Sequence, residues 1–237
     1  MSNSYFQFKQ FRIAQERCAM KVTTDACIQG AWTPIHNTVN KVLDIGAGTG
    51  LLSLMLAQRN VDIAIDAIEI DAAAAAQATE NISASPWKER IHIHEGDIRN
   101  FAPTCKYDLI VTNPPFFNNS LLSDKGNINA ARHTQALPYE ELQSAISRLL
   151  HDDGYYSVLL PYAEYQLWKD MQLAQGWKEC GSLSVSHMPG AAVKRVVGLF
   201  SKLPAAQVIK EQLVIKDEAQ EYTAEFKRLM ASFYLDL

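Results

Sequence analysis

The chain has 237 residues, 48 % of them hydrophobic and 20 % charged, with a formal net charge of −4. That apolar share supports a full core and excludes a mainly disordered chain, while the acidic balance counts against a binder that holds nucleic acid through bulk positive charge. The length predicts one domain with an extension, and Cys18, Cys27, Cys105 and Cys180 lie too far apart for zinc pairs.

Met1 to Arg17 contain no apolar h-region, and no run of about 18 apolar residues occurs anywhere, so the expectation is a cytoplasmic chain. Residues 1–40 read as an N-terminal arm that covers the substrate or cofactor. In it Lys9, Arg12, Arg17 and Lys21 alternate with Tyr5, Phe6, Phe8 and Phe11. Basic and aromatic residues together suit an RNA-contacting arm. An arm that packs its rings on the core and shows its lysines to solvent fits equally well.

Beyond the arm the elements alternate. Lys41–Ile45 predicts a buried strand, followed after a glycine-rich turn by a helix over Leu51–Gln58. Ala64–Ile70 predicts a strand, Asp71–Ala84 a helix, Ile91–Glu95 a strand, and Tyr107–Thr112 a strand stopped by Pro114 and Pro115. Pro138–Leu150 carries Leu142, Ala145, Ile146 and Leu149 at helical spacing. Tyr155–Leu160 predicts a strand and Ala163–Ala174 a helix. Leu183–His187 and Val193–Ser201 predict an antiparallel pair around Pro189-Gly190. That makes seven strands in a mostly parallel sheet with an antiparallel terminal pair and helices on both faces, an α/β fold. It occupies residues 41–203, and 204–237 reads as a strand–helix extension on the same domain.

The first motif is Asp44-Ile45-Gly46-Ala47-Gly48-Thr49-Gly50, between a strand and a helix. Glycines at 46, 48 and 50 allow a tight turn and close approach of a ligand to the backbone. Such a loop serves NAD, FAD or S-adenosylmethionine. The acid two residues before the first glycine favours the last, whose cationic end a carboxylate would face. Glu69, at the end of the second strand, is placed to accept from both ribose hydroxyls. Asp97, after the third strand, is placed to accept from the adenine amino group. Each could instead be a helix cap or a solvated loop residue. Ile70 and Ile98 either flank the adenine ring or belong to the core.

The second motif, Asn113-Pro114-Pro115-Phe116, ends the fourth strand. The Asn113 amide oxygen and the Pro114 carbonyl can each accept one N–H of a planar exocyclic amine. Neither proline contributes a competing donor, and Phe116 offers a stacking face. The plain alternative is a proline turn closing a strand. Residues 118–129 read as a loop near the site, and His133 gets no catalytic role. His92 and His94 alternate on a strand and make no metal site without further ligands, so no metal is expected.

These motifs, with Phe8-Lys9-Gln10-Phe11, Cys18-Ala19-Met20-Lys21-Val22, Thr24-Asp25 and Gly30-Ala31-Trp32, resemble the bacterial tRNA1(Val) (adenine-N6)-methyltransferases. Ala131-Arg132-His133, Lys194-Arg195-Val196, Tyr222-Thr223 with Phe226, and Phe233-Tyr234-Leu235 extend the resemblance over nearly the whole chain. It implies a Rossmann-like class I methyltransferase that uses S-adenosylmethionine to methylate N6 of adenine 37, beside the anticodon of valine tRNA. It would make Asp44, Gly46, Gly48, Gly50, Glu69 and Asp97 cofactor contacts, and Asn113, Pro114, Pro115 and Phe116 the holders of the target base. Lys9, Arg12, Lys194 and Arg195 are the candidate tRNA contacts, and the expected enzyme is a monomer. Thr23 departs from the pattern, which has glycine there.

Protein glutamine N5-methyltransferases share the motifs from the glycine loop onward. They usually carry a larger helical N-terminal domain, whereas 43 residues precede Asp44 here and Glu211–Leu237 follow the last of the seven strands. A non-catalytic cofactor-binding subunit is the third reading, opposed by the intact Asn113 and Phe116.

Overall fold

The computed structural model describes residues 3–115 and 137–237. A short hairpin, β1 (Tyr5–Gln7) and β2 (Arg12–Ala14), precedes α1 (Thr24–Trp32). There follow β3 (Lys41–Ile45), α2 (Leu51–Arg59), β4 (Ala64–Glu69), α3 (Ala72–Ser83), β5 (Ile91–Glu95) and β6 (Tyr107–Thr112). After the undescribed stretch come α4 (Tyr139–Leu149), β7 (Leu150–Pro161), α5 (Tyr162–Ala174), β8 (Lys178–Ser186), β9 (Arg195–Ser201), β10 (Ile209–Val214) and α6 (Ala224–Met230).

The main sheet runs β10-β8-β9-β7-β6-β3-β4-β5. It has eight strands, not the seven expected. β10 adds itself to the edge, parallel to β8, pairing Ile209 with Gly181 through Val214 with Ser186. It is the strand of the expected strand–helix extension, and with four of its six residues exposed no buried-strand pattern announces its place in the main sheet. β9 alone runs against its neighbours, antiparallel to both β7 and β8. The resulting architecture is that of a class I methyltransferase with helices on both faces.

Alternate strand residues feed two cores, as a period of two requires. Val42, Ile65, Ile91 and Leu109 pack with α1, α2 and the arm. Leu43, Ile45, Ile110, Tyr156 and Val158 pack under α4 and α5, around the buried Trp168. Chain order reverses between β3 and β6, which pair side by side. Ligands of such sheets bind beyond the carboxyl ends of the strands at that reversal.

Two of the arm's aromatics, Phe8 and Phe11, belong to the core, while Tyr5 is exposed. Phe8 and Phe11 are buried and stack at 4.5 Å, and Phe8 lies 6.1 Å from Tyr234. Lys9 ties the same two regions: its amide donates to Phe233 O at 2.8 Å and its ammonium to Ala231 O at 2.6 Å. Thr23 caps α1, its hydroxyl accepting from Ala26 N at 3.2 Å. A threonine in place of glycine therefore gives the helix an N-cap.

Candidate functional site

A cleft of about 270 Å³ opens at the carboxyl ends of β3, β4 and β6. The glycine-rich loop forms its floor. Gly46, Gly48 and Gly50 have φ of 75°, 54° and 80°, where a side chain would strain the backbone. A Cβ at Gly46 or Gly48 would meet nothing within 4 Å, so the loop leaves open space beside it. Gly50 faces the other way: its missing Cβ points at Ile82 and Ala78 of α3, at 3.4 and 3.5 Å. Gly46 and Gly48 line the cleft, and Gly50 shapes the loop from behind.

Glu69 stands at the end of β4, 9 % exposed and on the cleft wall. Its Oε2 accepts from Gly48 N at 2.8 Å and its Oε1 from Asp71 N at 2.9 Å. Two backbone amides fix the carboxylate, and each oxygen keeps a second lone pair for a ligand hydroxyl. Asp71 is occupied as the cap of α3, accepting from Ala74 N at 2.9 Å.

Asp44 is fully buried and does not line the cleft. Its Oδ2 accepts from the amide and hydroxyl of Ser53, at 3.2 and 2.7 Å, and its Oδ1 has no partner. Burial pushes its carboxyl up from 3.8 to about 6, against the Ser53 hydrogen bonds. The folded chain therefore holds this proton more tightly than the unfolded one. The stability this contributes is complete below about pH 4 and is lost as pH rises through about 6. Compared with Asp44→Asn, the ligand-free wild type should lose on the order of 3 kcal/mol between pH 4 and 7, since each tenfold difference in proton affinity is worth about 1.4 kcal/mol. Denaturant titrations of both proteins across that range would refute the desolvation if the gap stayed constant.

Asp97 lines the cleft after β5. Its Oδ1 accepts from Arg99 N at 2.9 Å and its Oδ2 from the Arg99 guanidinium, whose Nε lies at 2.7 Å. The hydrogen bonds from Arg99 hold this carboxyl below the usual range. Arg99 also reaches Glu141 at 3.3 Å. Ile98 is buried and Ile70 is 51 % exposed, and both line the cleft. An isoleucine half open to solvent at a cleft mouth is not a core residue, so the plain-core reading does not apply to Ile70.

Asn113, Pro114 and Pro115 form the wall beyond β6. The strand end beneath them is held firmly. Thr112 Oγ1 donates to Ile45 O at 3.0 Å, and the buried Gln29 of α1 donates to Thr112 O at 3.0 Å. The Asn113 Oδ1 atom is buried without a hydrogen-bond partner. An unmade bond there costs about 1–3 kcal/mol, which a donor bound in the cleft would recover. Phe116, Ala131-Arg132-His133 and residues 118–129 lie outside the described residues.

The candidate tRNA contacts fall in two places. Lys9 is engaged with Ala231 O, and Arg12 lies over the Tyr5 ring at 4.1 Å. Arg195, at the start of β9, pairs with Asp25 of α1 at 3.2 Å, and Lys194 beside it is exposed. His94 meets Asp66 at 3.0 Å, and no metal-binding group of three or more ligands occurs among the described residues. Within the arm, Cys18, Ala19, Met20 and Lys21 line the cleft, and no periodicity in the sequence singles out these four.

Residues 33–133 match the model of the Methyltransferase small domain. The chain is 41 % identical over 236 residues to the tRNA1(Val) (adenine(37)-N6)-methyltransferase of Dyadobacter fermentans, with 98 % of each chain covered. It is 42 % identical over 241 residues to that of Bacteroides fragilis strain YCH46, covering both chains fully. Among solved structures, a predicted O-methyltransferase from Agrobacterium tumefaciens superposes with a TM-score of 0.67 at 16 % identity, over 88 % of this chain and 96 % of that one. No described helix is long and apolar enough to cross a membrane.

Proposed function

The chain belongs to the family of tRNA1(Val) (adenine(37)-N6)-methyltransferases, and we propose that its cleft and the Asn113 wall together methylate N6 of adenine 37 in valine tRNA. The enzyme uses S-adenosylmethionine, which supplies an electrophilic methyl group on a sulfonium. The residues present fit that cofactor. Glu69 offers a fixed carboxylate to the ribose hydroxyls, and Ile70 and Ile98 offer apolar faces to the adenine ring. The loop at Gly46 and Gly48 leaves room for the chain of the methionine part. Asp97 accepts from the adenine amino group once Arg99 shares it. Asp44 acts through the loop, as a buried carboxylate behind it.

One observation carries the acceptor assignment: the buried, unpartnered Asn113 Oδ1 on the cleft wall. It accepts one hydrogen of the exocyclic amine, and the Pro114 carbonyl accepts the other. Two acceptors would favour the pyramidal nitrogen and direct its lone pair toward the methyl group that S-adenosylmethionine would supply, the sulfonium leaving as the thioether S-adenosylhomocysteine. Phe116, outside the described residues, is the expected stacking face for the base. The nitrogen's proton becomes acidic only after the methyl arrives and leaves to solvent, so no strong base is required. Positioning and preorganised acceptors supply most of the rate. A glutamine side chain would satisfy the same acceptors. The match to tRNA enzymes over the full length, arm and C-terminal segment included, decides against it. Labelled S-adenosylmethionine should place one methyl on valine tRNA carrying A37 and none on an A37→G transcript. Label on the A37→G transcript, or on a protein glutamine, would overturn the assignment.

A base stacked in the anticodon loop must turn out to reach Asn113, and the single-stranded loop makes that cheap. An acidic protein needs local cations for the phosphates. Lys194 and Arg195 stand at the carboxyl edge of the sheet beside β7, and Lys9 and Arg12 on the arm. Reversing Lys194 and Arg195 to glutamate should weaken tRNA binding and flatten the dependence of log K on log salt by roughly 0.7–0.9 for each phosphate that is no longer neutralised. Cofactor affinity should not change. Reversing Lys9 and Arg12 should also lower thermal stability, because Lys9 holds Ala231. An unchanged salt slope in both double variants would remove these four residues from the tRNA interface. The reading includes a monomer working in the cytoplasm beside its tRNA, with the arm as cover of the cleft, and light scattering at working concentration checks the monomer.

A further inference from the structure

Several side chains hold the arm on its way to the cleft, among them Arg17, which pairs with Glu80 of α3. After β2 the backbone passes across the cleft, Cys18 to Lys21 lining it, before it enters α1. This crossing is fastened at both ends by Gln15, whose Oε1 accepts from Val22 N at 2.9 Å. Asn81 of α3, 4 % exposed, fastens the arm to something else. Its Oδ1 accepts from Ala14 N at 2.9 Å, and its Nδ2 donates to Ala14 O and to Thr49 O, each at 2.9 Å. The partners fix the orientation of the amide, since one is a donor and two are acceptors.

Two of those bonds would suffice to anchor the arm. The third goes to the glycine-rich loop, at the carbonyl next to Gly48, whose amide Glu69 holds from the other side. We propose that Asn81 is a positioning residue that locks the glycine-rich loop to the arm, so that loop and crossing segment close on the cofactor as one unit. The inference rests on the cleft being the S-adenosylmethionine site. Coupling is reciprocal: a link that holds the segment shut tightens the cofactor, and bound cofactor shields the segment by the same factor.

The test uses the full chain and S-adenosylhomocysteine, with affinity from calorimetry and trypsin cleavage after Arg17 and Lys21 as the second readout. In the wild type the ligand should slow that cleavage. Asn81→Ala should bind at least tenfold more weakly and lose the protection. Gln7→Ala is the control. It removes bonds to Phe8 O and Phe11 O within the hairpin and touches no part of the loop, so its affinity should stay within about twofold. A folded Asn81→Ala protein that binds within twofold of wild type, or keeps the protection, overturns the link, as does an equal loss in Gln7→Ala. Should Asn81→Ala not fold, Gln15→Met opens the crossing at its other fastening and must give the same loss of affinity and protection, and unchanged binding there overturns the proposal. A wild type that binds no S-adenosylhomocysteine refutes the cofactor assignment itself.

Discussion

Asn113→Ala is expected to lower the rate of methyl transfer to tRNA by roughly a hundredfold to a thousandfold while cofactor affinity stays within about twofold. The magnitude is that of removing one preorganised polar group from a site where charge develops. The selectivity follows from position. Asn113 Oδ1 has no partner among the described residues, so deleting it breaks no bond to the glycine loop or Glu69. Thr112 below it remains held by Gln29 and by its own bond to Ile45. Asn113→Asp keeps an acceptor oxygen and should retain more activity than Asn113→Ala. Single-turnover rates and calorimetry separate the two quantities. Retention of most of the turnover in Asn113→Ala would mean that the amine is not held there.

Glu69→Ala is expected to weaken cofactor binding at least a hundredfold. Two hydroxyl bonds to a carboxylate are each worth about 1.5–3 kcal/mol, and 1.4 kcal/mol is tenfold in affinity. The ribose bonds are only part of the effect, because the same carboxylate holds Gly48 N and Asp71 N. Without it two backbone amides must find water, and the loop loses one of its fixed points. Glu69→Gln keeps an acceptor toward only one of those amides and should fall between. A Kd for Glu69→Ala within threefold of wild type would exclude Glu69 as the ribose acceptor.

Much of this fold was legible because its central strands are short, apolar and bounded by breakers. β3, β5 and β6 begin and end where the residue pattern puts them, and Asp71 does cap α3. What stayed hidden has physical reasons. α1 has no amphipathic stripe, since six of its nine residues are buried. It contains Gly30, a poor helix former, because a Cβ there would come within 2.8 Å of Met55 Sδ. The hairpin strands are three residues each, too short for an alternation to register. At the site, the motifs located the glycine loop, Glu69 and Asn113. Spacing could not say that Asp44 and Gly50 face away from the cleft, nor that Arg99 would take up Asp97. Nor could it join Asn81 to residues 14 and 49, because those bonds exist only once the arm has folded back.

The bond between Lys9 and the Ala231–Phe233 segment has a consequence for how the molecule comes into being. Translation is vectorial, and N-terminal segments leave the ribosome first. Phe8 and Lys9 therefore emerge more than two hundred residues before their partners at 231–234. Through that interval the sheet can assemble and Asn81 can hold Ala14, but Phe8 and Lys9 still lack their partners at 231–234. A message truncated shortly before residue 231 would yield a chain with both chemical motifs and an arm fastened at Ala14 without its seat at 231–234. Seating of Phe8 and Lys9 thus becomes a late step, one that waits for the delivery of residues 231–234.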